Sequence, residues 1–137
     1  MHKYQILVVD DEPMVCRAIK MLLEHDGHKV QTAASGESAL NLLKQHKFDL
    51  VITDYIMEKM RGVELARLIK EGQPGLPILM VTAFADEFNI YGKSFGDVDF
   101  IIPKPFSQQD LREAIVRVML PKAVGILDPP SLEKLKD

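Results

Sequence analysis

The sequence predicts an α/β fold: a doubly wound, five-stranded parallel sheet with helices on both faces. Three observations carry this. Short apolar runs alternate with stretches of helical periodicity, five times in strict order, which is the pattern of successive βα units. The apolar runs are continuous rather than alternating with polar residues, as strands covered on both faces must be. At 137 residues the chain is one domain's worth and can bury most of its unfolded surface without a disulfide or structural metal.

Each element follows in order. Ile6-Leu7-Val8-Val9 is the first buried strand and ends in two acids, Asp10 and Asp11. Pro13 suits the first turn of a helix, where its missing N–H costs nothing. Val15, Ile19, Leu22 and Leu23 give that helix one apolar face, and Gly27 closes it. Val30 to Ala33 is the second strand. Ser35 is placed to cap a helix carrying Ala39, Leu40, Leu42 and Leu43. Leu50-Val51-Ile52-Thr53 is the third strand and also ends in an acid, Asp54. A helix from about Gly62 to Glu71 turns Leu65, Leu68 and Ile69 inward, and Gly72, Pro74 and Gly75 mark a turn. Ile78 to Val81 is the fourth strand, ending at Thr82, and a weaker helix covers roughly Asp86 to Phe95. Phe100-Ile101-Ile102 is a short fifth strand that runs into Lys104-Pro105. Ser107 then caps a last helix with Leu111, Ala114, Ile115 and Val118 on its core face. The natural arrangement is flavodoxin-like (β/α)5 with strand order 2-1-3-4-5. Residues 1–120 form the domain, and 121–137, with Pro129-Pro130, read as a linker stub or docking extension.

Composition narrows the function. The net charge of −3 comes from mixed acids and bases without a basic stripe, so this segment has no electrostatic case for nucleic acid. No apolar run reaches the length of a membrane span, and the first residues lack the apolar core of a signal peptide. The single cysteine, Cys16, excludes a disulfide framework and reads as a small buried hydrophobe in a cytoplasmic protein. His25 and His28 lie near a turn with no metal-ligand cluster around them. No nucleotide-binding or serine-hydrolase motif is present.

The chemistry gathers where parallel sheets bind ligands, outside the carboxyl ends of the strands. Strand one delivers Asp10 and Asp11, strand three Asp54, strand four Thr82 and strand five Lys104. Singly, each is an ordinary cap, turn or surface residue. Jointly they put three carboxylates, a hydroxyl and an ammonium in one crevice. Clustered carboxylates repel unless a cation joins them, and Mg²⁺ suits a few carboxylates, several waters and a phosphate oxygen. One carboxylate is then free to attack phosphorus while Lys104 and Thr82 meet the phosphoryl oxygens.

These residues carry a family resemblance. Over about residues 4 to 120 the chain resembles response-regulator receiver domains. The matching segments are Ile6 to Pro13, Val51-Ile52-Thr53-Asp54 with Met57, Met60 and Gly62, Val81-Thr82-Ala83, and Lys104-Pro105-Phe106. The resemblance implies that Asp54 is the phosphoacceptor and that Asp11, Asp54 and the Ile56 carbonyl ligate Mg²⁺, with Asp10 acting largely through a metal-bound water. It implies that Thr82, the Ala83 amide and Lys104 hold the phosphoryl group, and that the Lys104-Pro105 bond is cis. The implied partners are a sensor histidine kinase or phosphotransfer protein and an effector, with a phosphorylation-dependent dimer as a further possibility. The implied signalling face includes Ile90, Tyr91, Arg112 and Val116.

Three positions depart from the family pattern. Glu58 follows Met57 where proline is usual. Ile101 occupies the position of a switch aromatic, with Phe100 one place earlier. Phe84 to Asp99 replaces an alanine-rich helix. Ile56 and Phe84, two places after Asp54 and Thr82, are apolar and flank the path of an attacking water, so slow self-dephosphorylation is expected. Two other functions compete. A Mg²⁺-dependent aspartyl-phosphate phosphatase would need a D-x-D nucleophile motif on the first strand, which Asp10-Asp11-Glu12 does not supply. A phosphorylation-independent interaction module would typically have lost an acid or the lysine. The expectation is therefore a regulatory phosphoacceptor that catalyses only its own phosphorylation and dephosphorylation, not an enzyme in the turnover sense.

Overall fold

The structure, a computed structural model, describes residues 2–83 and 96–123. Its elements are β1 (Gln5–Val9), α1 (Pro13–His25), β2 (Lys29–Ala33), α2 (Gly36–Gln45), β3 (Leu50–Asp54), α3 (Gly62–Gly72), β4 (Ile78–Thr82), β5 (Phe100–Pro103) and α4 (Gln108–Ala123). The helical pattern over Asp86 to Phe95 lies outside the described residues. All strand pairs are parallel, and the order is β2-β1-β3-β4-β5, as predicted.

The sheet divides the interior. Successive side chains on a strand point to opposite faces, so Ile6 and Val8 join one core while Leu7 and Val9 join the other. The first core takes Leu50, Ile52, Leu79, Val81 and Ile102 and is roofed by Cys16, Ile19 and Leu23 of α1 and by Leu111, Ala114, Ile115 and Val118 of α4. The second takes Val51, Ile78, Met80 and Ile101 under Ala39 of α2 and Leu65, Ala66 and Ile69 of α3. The apolar stripes read from the sequence are these roofs, except that Leu68, expected inward, is only half-buried and joins neither core, while Ala66 does. Cys16 is buried and its thiol donates to the Asp10 carbonyl at 3.3 Å.

Both expected serine caps are made. Ser35 Oγ accepts from the Ser38 N–H at 3.0 Å. Ser107 Oγ accepts from the Asp110 N–H at 3.0 Å while Asp110 Oδ2 accepts from the Ser107 N–H at 2.9 Å, a reciprocal capping box. One boundary differs from expectation. Gly72 belongs to α3, because the Gln73 N–H closes one more bond to the Ile69 carbonyl at 2.7 Å. The last helix, α4, runs to Ala123.

Candidate functional site

The sheet register assembles the site. Val9 lies beside Thr53, Asp54 beside Val81, and Thr82 beside Pro103. The residues leaving these strands therefore emerge together at one edge. Asp10 is 1% exposed. Its Oδ1 accepts from the Glu12 N–H at 2.9 Å and its Oδ2 from Lys104 Nζ at 3.1 Å. The same ammonium lies 3.3 Å from Asp54 Oδ1, which also accepts from the Tyr55 N–H at 2.8 Å. Asp11 Oδ2 accepts from the Glu58 N–H at 3.0 Å. Asp10, Asp11 and Asp54 each offer a carboxylate oxygen within 4.8 Å of the others, the one such cluster among the described residues. Lys104 is tied to the end of β4, its N–H donating to the Thr82 carbonyl at 2.8 Å, and the Lys104-Pro105 bond is cis. Thr82 is buried at the edge of the crevice and Ala83 is exposed just beyond it.

Charge balance within the site is incomplete. Burial pushes the Asp54 carboxyl above its usual range, and Asp10 adds to the push, while Lys104 and the Tyr55 amide oppose it. Burial works against the Lys104 ammonium, but Asp54 and Asp10 outweigh it and hold its pKa above the ordinary lysine value. Lys104 meets Asp10 and Asp54, Asp11 is met by the Glu58 amide, and burial still leaves the Asp54 carboxyl raised. A hard divalent cation among these oxygens would supply the missing charge, so the donor set fits Mg²⁺.

The loop after β3 is held by close contacts. The Gly62 N–H donates to the Tyr55 carbonyl at 2.8 Å, and a Cβ on Gly62 would run into the Asp54 carbonyl oxygen. Lys59 has φ 68°, and the Met60 N–H closes a three-residue turn around it onto the Glu58 carbonyl at 2.7 Å. Met57 is buried, whereas Ile56 is 45% exposed.

Sequence reasoning brought the three acids, Thr82 and Lys104 to one edge, and the structure places them there. It missed the Glu58 amide, since a main-chain donor leaves no mark on residue type. It also took Gly62 only as a motif residue and helix start. Of the expected signalling face, Val116 is 59% exposed, but Arg112 is drawn into a two-pronged pair with Asp26 at 2.8 Å. Ile90, Tyr91 and Phe84 lie outside the described residues. Ile101 is fully buried in the second core, so the switch-aromatic position holds a fixed aliphatic residue. Phe100 packs on the other core, with the Arg117 guanidinium 5.8 Å above its ring.

A parallel sheet of this order, with acids and a lysine at its carboxyl edge, defines the CheY-like class of receiver domains. The family model described as response regulator receiver domain matches residues 6–116, and the chain belongs to that family. Among curated relatives, it is 34% identical over 114 residues to the probable transcriptional regulatory protein TcrX of Mycobacterium tuberculosis, covering 82% of this chain and 47% of that protein. It is 34% identical over 116 residues to the alkaline phosphatase synthesis transcriptional regulatory protein PhoP of Bacillus subtilis, covering 84% and 48%. The chain thus spans about half the length of these relatives. Among solved structures, it superposes on a receiver domain protein from Clostridium thermocellum with a TM-score of 0.73 and 32% identity, over 88% of this chain and 97% of the other. It also matches response regulator TrrA from Thermotoga maritima, solved in complex with Mg(2+)-BeF, with a TM-score of 0.75 and 30% identity, over 85% and 99%. Among the described residues no helix is long and apolar enough to cross a membrane.

Proposed function

We propose that this receiver domain is a phosphorylation switch, taking a phosphoryl group from a histidine kinase or phosphotransfer protein onto Asp54 with Mg²⁺. The observation that carries the reading is the shared ammonium. Lys104 reaches both Asp10 and Asp54, at 3.1 and 3.3 Å, at the one edge where the acids cluster. Asp54 Oδ1 is engaged by Lys104 and the Tyr55 amide, while Oδ2 accepts no hydrogen bond among the described residues and is the oxygen offered to phosphorus. It bonds to phosphorus as the phosphorus–nitrogen bond to the donor imidazole breaks, and that bond's electrons stay on the imidazole. Lys104 exchanges part of its carboxylate contact for the incoming phosphoryl oxygens, and Thr82 and the Ala83 amide supply further donors. Asp10, Asp11, Asp54 and the Ile56 carbonyl would hold Mg²⁺, whose charge, when bound, offsets that of the carboxylates and the phosphoryl group.

Residues 1–120 act as this switch, and residues 121–137 lead to, or dock with, an effector. Phosphorylation alters the surface offered to that effector or to a second copy. Cytoplasm is the compartment that fits a kinase partner. The test is labelling by acetyl phosphate or a phospho-histidine donor. Asp54→Asn is expected to abolish it with the fold intact, and full labelling of that variant at another residue would overturn the assignment.

A further inference from the structure

The Glu58 main chain reaches across the site. Its N–H donates to Asp11 Oδ2 at 3.0 Å, a bond that joins residues 47 positions apart in the chain. Asp10 and Asp54 are held differently: each accepts from an amide of its own segment, Glu12 or Tyr55, and each meets Lys104. For Asp11, the Glu58 amide is the hydrogen-bond donor to the carboxylate among the described residues. That amide sits in a restrained loop. Met57 before it is buried, Lys59 after it holds φ 68°, and the Glu58 carbonyl accepts from the Met60 N–H at 2.7 Å. It is therefore a fixed donor rather than the end of a swinging side chain.

We infer that the Glu58 main-chain amide is a positioning group for Asp11, fixing its carboxylate so that Oδ1 faces a divalent cation. This rests on the Mg²⁺ reading above. A carboxylate has two oxygens and about four lone-pair sites, so it accepts an N–H and binds a cation together. Orienting it beforehand removes a rotamer cost from cation binding. The same bond ties the β3–α3 loop to the segment after β1, so uptake of the cation stiffens that loop. Residue type matters because proline at position 58, lacking an N–H, could not make this bond.

The experiment is calorimetric titration with Mg²⁺ of wild type, Glu58→Ala and Glu58→Pro. Alanine keeps the amide and removes the side-chain charge, so it is the reference for proline. Glu58→Pro is expected to bind Mg²⁺ on the order of tenfold more weakly than Glu58→Ala, the usual loss when a hydrogen bond orienting a metal ligand is removed. Equal affinities in the two variants overturn the inference, as does a Glu58→Ala that is itself the weaker binder, since the side chain would then be the active group. Should Glu58→Pro fail to fold, amide exchange in the wild type decides. The Glu58 N–H is expected to be protected, and to lose that protection in Asp11→Ala while the neighbouring Met60 amide keeps its own. A Glu58 amide that exchanges as freely as an unstructured peptide overturns the inference. A wild type that takes up no Mg²⁺ overturns the metal reading itself, a result distinct from one in which wild type binds and the two variants agree.

Discussion

Gly62 has no side chain, yet the Asp54 backbone packs directly against it. A Cβ there would meet the Asp54 carbonyl oxygen and press on Met80 Cε at 3.0 Å. The obstacle is backbone, which cannot swing aside. Gly62→Ala is expected to cost about 1–3 kcal/mol, the usual range for overpacking, and to slow labelling of Asp54. Urea unfolding checks the first and acetyl phosphate labelling the second. The residues two places after Asp54 and Thr82, Ile56 and Phe84, are expected to bear on the opposite reaction. Ile56 stands partly exposed beside the site, and neither Ile56 nor Phe84 can orient a water. The double variant Ile56→Asn with Phe84→Glu should lose its acyl phosphate clearly faster than wild type, since a positioned water-orienting group is worth on the order of 10²-fold. Decay followed after donor removal measures it, and equal rates would refute the shielding argument. At this scale the sequence is legible where the candidate site is built from side chains: Asp10, Asp11, Asp54, Thr82 and Lys104 are named by residue type and strand-end position. It is silent where the site is held by backbone, as at the Glu58 amide and the Tyr55 carbonyl.

At the scale of elements, strands and caps were legible for local reasons. A continuous apolar run bounded by acids or turn residues has few alternatives to a buried strand. Ser35 and Ser107 stand before helical patterns, and their hydroxyls satisfy amides that no carbonyl can reach. Ser107→Ala should cost about 1 kcal/mol of stability, read as a lower urea midpoint at unchanged slope. A cost near zero would mean that Asp110 alone sustains the start of α4. Helix ends were less legible. Whether α3 stops before or after Gly72 depends on a single bond from Gln73, and residue type does not decide one bond. The link between α1 and α4 was also invisible. Asp26 pairs with Arg112 and accepts from Gln108, residues more than 80 positions away.

At the scale of the whole molecule, two linkage effects are expected. On the proposed reading Mg²⁺ binds the folded acid cluster and not the dispersed unfolded chain, so saturating cation should raise the melting temperature. At about 100 times its Kd the gain is about 2.7 kcal/mol. Asp11→Ala should remove most of that gain, and a melting temperature indifferent to millimolar Mg²⁺ would count against the site. The second effect is protonic. His28 is buried, stacks on Tyr4, and accepts the Tyr4 N–H on Nδ1 at 3.0 Å. Burial holds its imidazole below the ordinary histidine range, with Asp26 pulling the other way; His2 and Arg112 line the same recess. The unfolded chain takes up a proton at the ordinary value of about 6.5 while the folded one resists. Stability is thus full above that value and is lost as pH falls below it. Melting temperatures from about pH 7.5 to about pH 5.5, spanning the ordinary histidine value, should fall, and less steeply in His28→Gln. The sheet itself has one more consequence. Ile6 and Leu7 are bonded neighbours, yet they belong to separate cores. Volume lost at Leu7 cannot be recovered by enlarging Ile6, which lies in the other core, but only from residues that share its own, such as Ala39 of α2. Defects at adjacent positions on β1 should therefore add, while those at distant positions sharing a face interact. A map of epistasis in this protein would show two communities interleaved residue by residue along each strand.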